Sequence, residues 1–106
     1  MFDYLKSVNV NFVENYNSEF HYHPLIIPNW DNTSRMGWKG VVFRNSTPKN
    51  FRIHLKKVLG TLENKPDEQK IVFLKSWNEW AEGNYIEPDL QYGRAYLEVL
   101  KEEICG

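Results

Sequence analysis

Two apolar runs, each opening into a long loop and then a helix, constrain this chain most strongly. The first is HYHPLIIP, residues 21–28, and the second is IVFLKSW, residues 71–77. Both are short and bounded by turn formers, as buried strands are. IVFLKSW alternates too little to leave one face in water, which predicts a parallel strand covered on both faces. Between the runs, residues 29–47 (NWDNTSRMGWKGVVFRNST) are dense in turn-forming residues and read as a long loop, with VVF as a brief strand. A helix follows. Thr47 suits its N-cap and Pro48 its first position. Phe51, Leu55, Val58, Leu59 and Leu62 recur on one face, while Lys49, Arg52, His54, Lys56 and Lys57 read as the solvated face. NKPDEQ breaks that pattern. After IVFLKSW comes an acidic loop, and then a last helix over about Tyr92 to Glu103, with Tyr92, Tyr96, Leu100 and Ile104 at every fourth position.

The order is strand, loop, helix, strand, loop, helix. Two consecutive β-α units predict an α/β fold with parallel strands joined by a right-handed crossover. In such sheets ligands gather at the carboxyl ends of the strands. Both unusual loops follow strands, so both are expected to open on the same side. Residues 1–20 are less regular: Phe2, Leu5 and Val8 have helical spacing, and Val10, Phe12 and Tyr16 fit strand or loop.

Other function classes are set aside by simple observations. A net charge of −1 gives no reason to expect nucleic acid or an anionic membrane. LIIP and IVFL are far too short to span a bilayer. MFDYLKSVNV lacks the basic start and apolar core of a signal peptide. Cys105 is the single cysteine, which suits a reducing compartment and a cytoplasmic location. With 106 residues, one small domain is expected, spanning residues 1–106.

The chemistry concentrates in SWNEWAEGNYIEPD, residues 76–89. Glu79 and Glu82 stand three apart at the end of the second strand, a spacing that can aim both carboxylates into one cleft. Trp77 and Trp80 are placed to exclude water from it, and partial desolvation beside a second carboxylate separates an acid from a base. Asn78 can hydrogen-bond a hydroxyl, Gly83 permits a sharp turn, and Glu87 is either a third ligand or the solvated approach to the next helix. The alternative is a solvated loop whose tryptophans pack on the core. In PNWDNTSR, Trp30 can stack on a ring, Asp31 can accept from hydroxyls, and Arg35 can hold an anionic group or pair with a carboxylate. An Asx-turn and a surface ion pair are the other reading of the same residues. His21 and His23 share a strand face, but no spacing supplies a further ligand, so no metal is expected.

WNEWAEGNYIEPD, followed by YGRAYLEVL, resembles the C-terminal signature of the WbsX glycosyltransferase family, also described as glycoside hydrolase family 99-like. PNWDNTSR and STPKNF resemble the segment that precedes it in that family. The resemblance covers roughly residues 24 to 103. It implies a (β/α)8 TIM-type barrel, of which this chain holds about the last two β-α units, and a role in bacterial surface polysaccharide such as O-antigen lipopolysaccharide. The related endo-α-mannosidases carry a similar segment whose two glutamates match Glu79 and Glu82. In them the first is a base toward the sugar 2-hydroxyl and the second a general acid/base at the glycosidic oxygen. Ala81 stands where those hydrolases have histidine, a departure that fits the WbsX branch better.

A full barrel takes roughly 250 residues. The resemblance therefore implies a C-terminal part of a larger enzyme, with the N-terminal part of the barrel as its missing partner. An oligosaccharide or other glycan is the implied substrate, and a nucleotide-sugar donor if the reaction is transfer. A few parallel strands alone leave open edges and half-covered faces. Marginal stability and little independent catalysis are expected of the isolated chain. An endo-α-mannosidase-like hydrolase and a non-catalytic sugar-binding module or remnant are the other readings.

Overall fold

The computed structural model describes residues 2–9 and 23–106. Helices and strands mix in an α/β arrangement. Strand β1 (Phe2–Asp3) leads into helix α1 (Tyr4–Asn9); β2 (Leu25–Ile26), α2 (Thr33–Met36), β3 (Phe43–Arg44) and α3 (Pro48–Gly60) follow. Then come β4 (Phe73–Leu74), a hairpin of β5 (Asn78–Glu79) and β6 (Asn84–Tyr85), and α4 (Ala95–Leu100). β2 and β4 pair in parallel, Leu25 opposite Phe73 and Ile26 opposite Leu74, with α3 between them in sequence. β1 and β3 also pair in parallel, while β5 and β6 are antiparallel. The β-α-β order of the sequence is thus the order of the fold.

Helix α3 forms for the expected reasons. The Thr47 side chain accepts from the Asn50 N–H at 3.2 Å, and Pro48 loses no helical hydrogen bond at the first position. Its buried face carries Phe51, Leu55 and Val58, which pack with Ile26, Ile86, Tyr96 and Val99. Each large apolar side chain so buried contributes about 1.5–3 kcal/mol. A second cluster joins Tyr4, Val8 and Ile27, and the Tyr4 hydroxyl donates to the Ile27 carbonyl at 2.6 Å. The N-terminal helix is thereby fastened beneath the exit of β2. Its buried pair is Tyr4 and Val8, spaced four apart, whereas Phe2 lies in β1 and is exposed.

His54 corrects the sequence reading. It is only 1% exposed, not on the solvated face. Position 54 falls three after Phe51 and four before Val58, inside the apolar stripe. Its Nε2 accepts from the Ile27 N–H at 3.5 Å, and its ring meets Tyr4 edge-on at 6.1 Å. Burial, helped by Lys57, lowers the imidazole pKa to about 4 and keeps the ring neutral.

The coverage of IVFLKSW is a second correction. Ile71, Phe73 and Trp77 are exposed by 43, 56 and 54%. Only Phe73 and Leu74 are in a ladder, and among the described residues no strand lies on the other edge of β4. An apolar strand needs neighbours on both sides to be covered, and here it has one. The last helix also differs. Asp89 accepts the Tyr92 N–H and pairs with Gly93, which delays the α-helix to Ala95. Beyond Leu100 the chain takes a π-helical turn, Lys101–Cys105. The wider turn moves Ile104 out of register, and it is 55% exposed. The readings for Val10, Phe12, Tyr16 and His21 fall outside the described residues. No helix among the described residues is long and apolar enough to cross a membrane.

Candidate functional site

The two loops that follow β2 and β4 meet. Their junction is Gly83, whose φ of 55° lies in the left-handed region. A Cβ there would sit 2.3 Å from the Asp31 carbonyl oxygen, so only glycine permits the approach. The Asp31 N–H donates to the Glu82 carbonyl at 3.0 Å. A side-chain clasp reinforces this contact. Asn29 donates to the Tyr85 carbonyl at 3.1 Å and accepts from the Tyr85 N–H at 2.9 Å. Asn84 donates to the Asn29 carbonyl at 2.7 Å. Both asparagines are buried. The Asn29 amide is paired through both its nitrogen and its oxygen, and Asn84 through its nitrogen, while Asn84 Oδ1 has no partner among the described residues.

The clasp holds the acidic hairpin beside the first loop. Arg35 reaches across, its Nη2 lying 3.4 Å from Glu82 Oε1. The Glu82 side chain is 23% exposed and that of Arg35 55%. Glu79 lies in β5 opposite Asn84, and Asn78 lies opposite Tyr85; Glu79 and Asn78 are both exposed. Trp80 stacks on Tyr85, centroids 3.7 Å apart and planes 18° from parallel, and its indole N–H donates to Glu87 at 2.7 Å. Glu87 therefore orients Trp80.

Trp77 and Trp80 do not form the dry enclosure expected around the carboxylates. They are 54% and 46% exposed. Tyr85 covers one face of Trp80, but one hairpin cannot wrap both sides of its own side chains, and about half of each tryptophan stays open. In the first loop, Trp30 packs partly against the Tyr4–Val8–Ile27 cluster, and the Lys75 ammonium lies 5.6 Å from its ring centroid. The Asp31 carboxylate accepts from both the N–H and the hydroxyl of Thr33, which is the Asx-turn alternative.

Beside the junction is a cleft of about 560 Å³. Trp30, Asp31 and Trp80 line it; Glu79, Glu82, Asn78, Arg35 and Glu87 do not. Its remaining walls include Tyr85, Asp89, Gln91 and Tyr92, of which the sequence pointed only to Tyr92, and to that as a helix position rather than a site residue. Tyr85 donates to Asp89 at 2.9 Å. Burial, with that hydrogen bond second, pushes the Tyr85 hydroxyl up to about 12, so it stays a donor at neutral pH. Gly83 was the available signal: a left-handed glycine between two extended pairs makes a hairpin, and its far strand must then line the site. Asn29 and Asn84 had no comparable signal, because their role lies in a contact between loops 55 residues apart. Among the described residues no group of three or more His, Cys, Asp or Glu side chains is arranged to hold a metal ion.

Comparison with known proteins adds a family context. A family profile described as Glycosyltransferase WbsX matches residues 1–100. Two proteins of Xanthomonas campestris pv. campestris, one from strain B100 and one from a second strain, each named "Uncharacterized protein WxcX", are 34% identical over 87 residues. The matched segment is 81% of this chain but only 12% of each relative, so the chain spans a small part of their length. No solved structure matches significantly.

Proposed function

The chain belongs to the WbsX glycosyltransferase family, and from that premise we propose that it is the part of a carbohydrate-active enzyme that carries the acid–base pair, Glu79 and Glu82. The reaction makes or breaks a glycosidic linkage in bacterial surface polysaccharide. The observation that supports this most directly is the clasped junction. It brings two neighbouring glutamates, the Trp30–Asp31 loop and an aromatic cleft to one end of the parallel strands.

In this reading one glutamate gives a proton to the glycosidic oxygen as its bond to the sugar carbon breaks, or, in transfer, takes the proton of the acceptor hydroxyl as that bond forms. The other acts as base toward a neighbouring sugar hydroxyl or as nucleophile at the sugar carbon. Glu82, steadied by Arg35, takes the glycosidic oxygen; Glu79, open to solvent, meets the hydroxyl. Asn78, Trp80, Trp30, Asp31 and Arg35 contact the sugar, and Glu87 acts through Trp80. If the reaction is transfer, a nucleotide-sugar donor binds elsewhere in the parent protein. The remaining elements of a (β/α)8 barrel cover β4 and close the site over Trp77 and Trp80. The location is cytoplasmic. A non-catalytic sugar-binding module is the second reading, favoured by one observation: Glu79 lies exposed beside half-open tryptophans.

The deciding experiment uses the full-length parent protein. Glu82→Gln is expected to lower turnover by about 10²–10⁴-fold with sugar affinity little changed. Turnover within twofold of the parent would sink the catalytic assignment.

A further inference from the structure

The cleft beside the junction is separate from the acid pair, since neither glutamate lines it. Its walls combine flat aromatic surface with hydrogen-bonding groups. With one ring face against Tyr85, Trp80 is still 46% exposed. Tyr92 and Trp30 add further aromatic surface. Asp31 and Asp89 each already accept two hydrogen bonds, but a carboxylate has about four lone-pair positions, so acceptor capacity remains. Gln91, exposed at the rim, supplies an amide. Two carboxylates face one guanidinium, Arg44, so the lining disfavours an anion. The volume falls in the ordinary range for small-ligand sites, roughly 300–1,000 Å³.

We infer that this cleft is a subsite for a neutral sugar unit of the glycan, adjacent to the reacting linkage but outside the acid pair. The inference rests on the carbohydrate reading above and adds the ligand class and the residues that hold it. The apolar C–H face of a pyranose lies on the Trp80 side, while its hydroxyls donate to Asp31 and Asp89 and meet Gln91 at the rim. The Tyr85–Asp89 hydrogen bond and the Asp89–Tyr92 turn fix that acceptor before the sugar arrives, so little ordering cost falls on binding. A second, more open groove shares the Trp80–Tyr85–Asp89–Gln91 wall. A glycan longer than one unit therefore has a continuous path past this ridge.

The test is an amide-resolved NMR titration of the full-length parent protein, isotope-labelled over these 106 residues. The probes are neutral trisaccharides of glucose, mannose, galactose and N-acetylglucosamine, with trigalacturonate as the anionic counterpart. Shifts are expected at Tyr85, Asp89, Gln91, Tyr92 and the Trp80 indole for at least one neutral probe. Trigalacturonate should bind at least tenfold more weakly. Gln91→Trp, which fills the mouth, should weaken binding tenfold or more, and the milder Gln91→Ala serves if that variant does not fold. Absence of shifts with every neutral probe, shifts confined to Asn78–Glu82, or equal binding of trigalacturonate would each overturn the subsite. The titration requires no turnover. Binding here with an unimpaired Glu82→Gln parent defeats the catalytic assignment alone; impaired turnover without these shifts defeats the subsite alone.

Discussion

Replacing Gly83 by alanine tests whether the loop junction is as tight as its geometry states. Gly83 and Gly93 have nearly the same φ, 55° and 56°, so both require the left-handed region. An L-residue pays about 1–2 kcal/mol there. The surroundings differ. Around Gly93 an added Cβ meets nothing within 4 Å, whereas at Gly83 it would meet the Asp31 oxygen at 2.3 Å and the Asp31 nitrogen at 2.8 Å. Backbone atoms cannot swing aside as a flexible side chain can, so the hairpin must move. It then gives up the Asp31–Glu82 hydrogen bond, worth about 1 kcal/mol, and strains the Asn29–Asn84 clasp. Gly93→Ala should cost about 1 kcal/mol and Gly83→Ala about 3 kcal/mol. Gly83→Asn, which tolerates the backbone angle but keeps the Cβ, should retain most of the larger loss. Urea unfolding at neutral pH compares the variants, and hydrogen exchange at the Asp31 amide reports the junction directly. Equal losses for Gly83→Ala and Gly93→Ala, or unchanged protection at Asp31, would refute the reasoning.

Further outcomes follow from other sites. For His54, the folded pKa of about 4 lies below the ordinary value of 6.5, so its contribution is complete above pH 6.5 and is lost as pH falls toward 4. The loss is on the order of 3 kcal/mol, and His54→Gln should flatten the slope of stability against pH in that window. The Tyr85 pKa is raised from 10 to about 12, so its contribution holds below pH 10 and is lost between pH 10 and 12. Tyr85→Phe should remove that alkaline loss while costing about 1 kcal/mol at neutral pH through the missing bond to Asp89, both read by denaturant titration. Arg52 bridges to Glu102 and Glu103, so Arg52→Ala should speed amide exchange over 101–105 and leave α3 unchanged. Phe51→Ala, at the centre of the main core, should cost about 3–5 kcal/mol in the same titration.

The legible part of this fold was its local chemistry. Thr47–Pro48 announced a helix start because capping depends on adjacent residues alone, and the helix begins there. Parallel pairing of β2 with β4 followed from the helix between them. The shared side of the two loops followed from strand direction. His54 was misplaced because its polarity was weighed above its helical position. Ile71 and Phe73 look buried in sequence, since composition registers apolarity and not which neighbours lie beside a strand; both are exposed. Within the candidate site, residue types pointed to Glu79, Glu82 and Trp80 by themselves. The Asn29–Asn84 clasp joins segments 55 residues apart, where no spacing rule reaches. The Tyr85–Asp89–Tyr92 wall is local, with steps of four and three residues, but nothing in its spacing says that it faces the first loop.

The clasp has a mechanical consequence. Because Asn29 is tied to Tyr85 by two bonds and to Asn84 by a third, the two loops are coupled springs rather than separate flaps. A polymer tugged along the ridge would transmit its load to both strand ends at once. Their relaxation times should therefore coincide, and loosening either asparagine should desynchronise them.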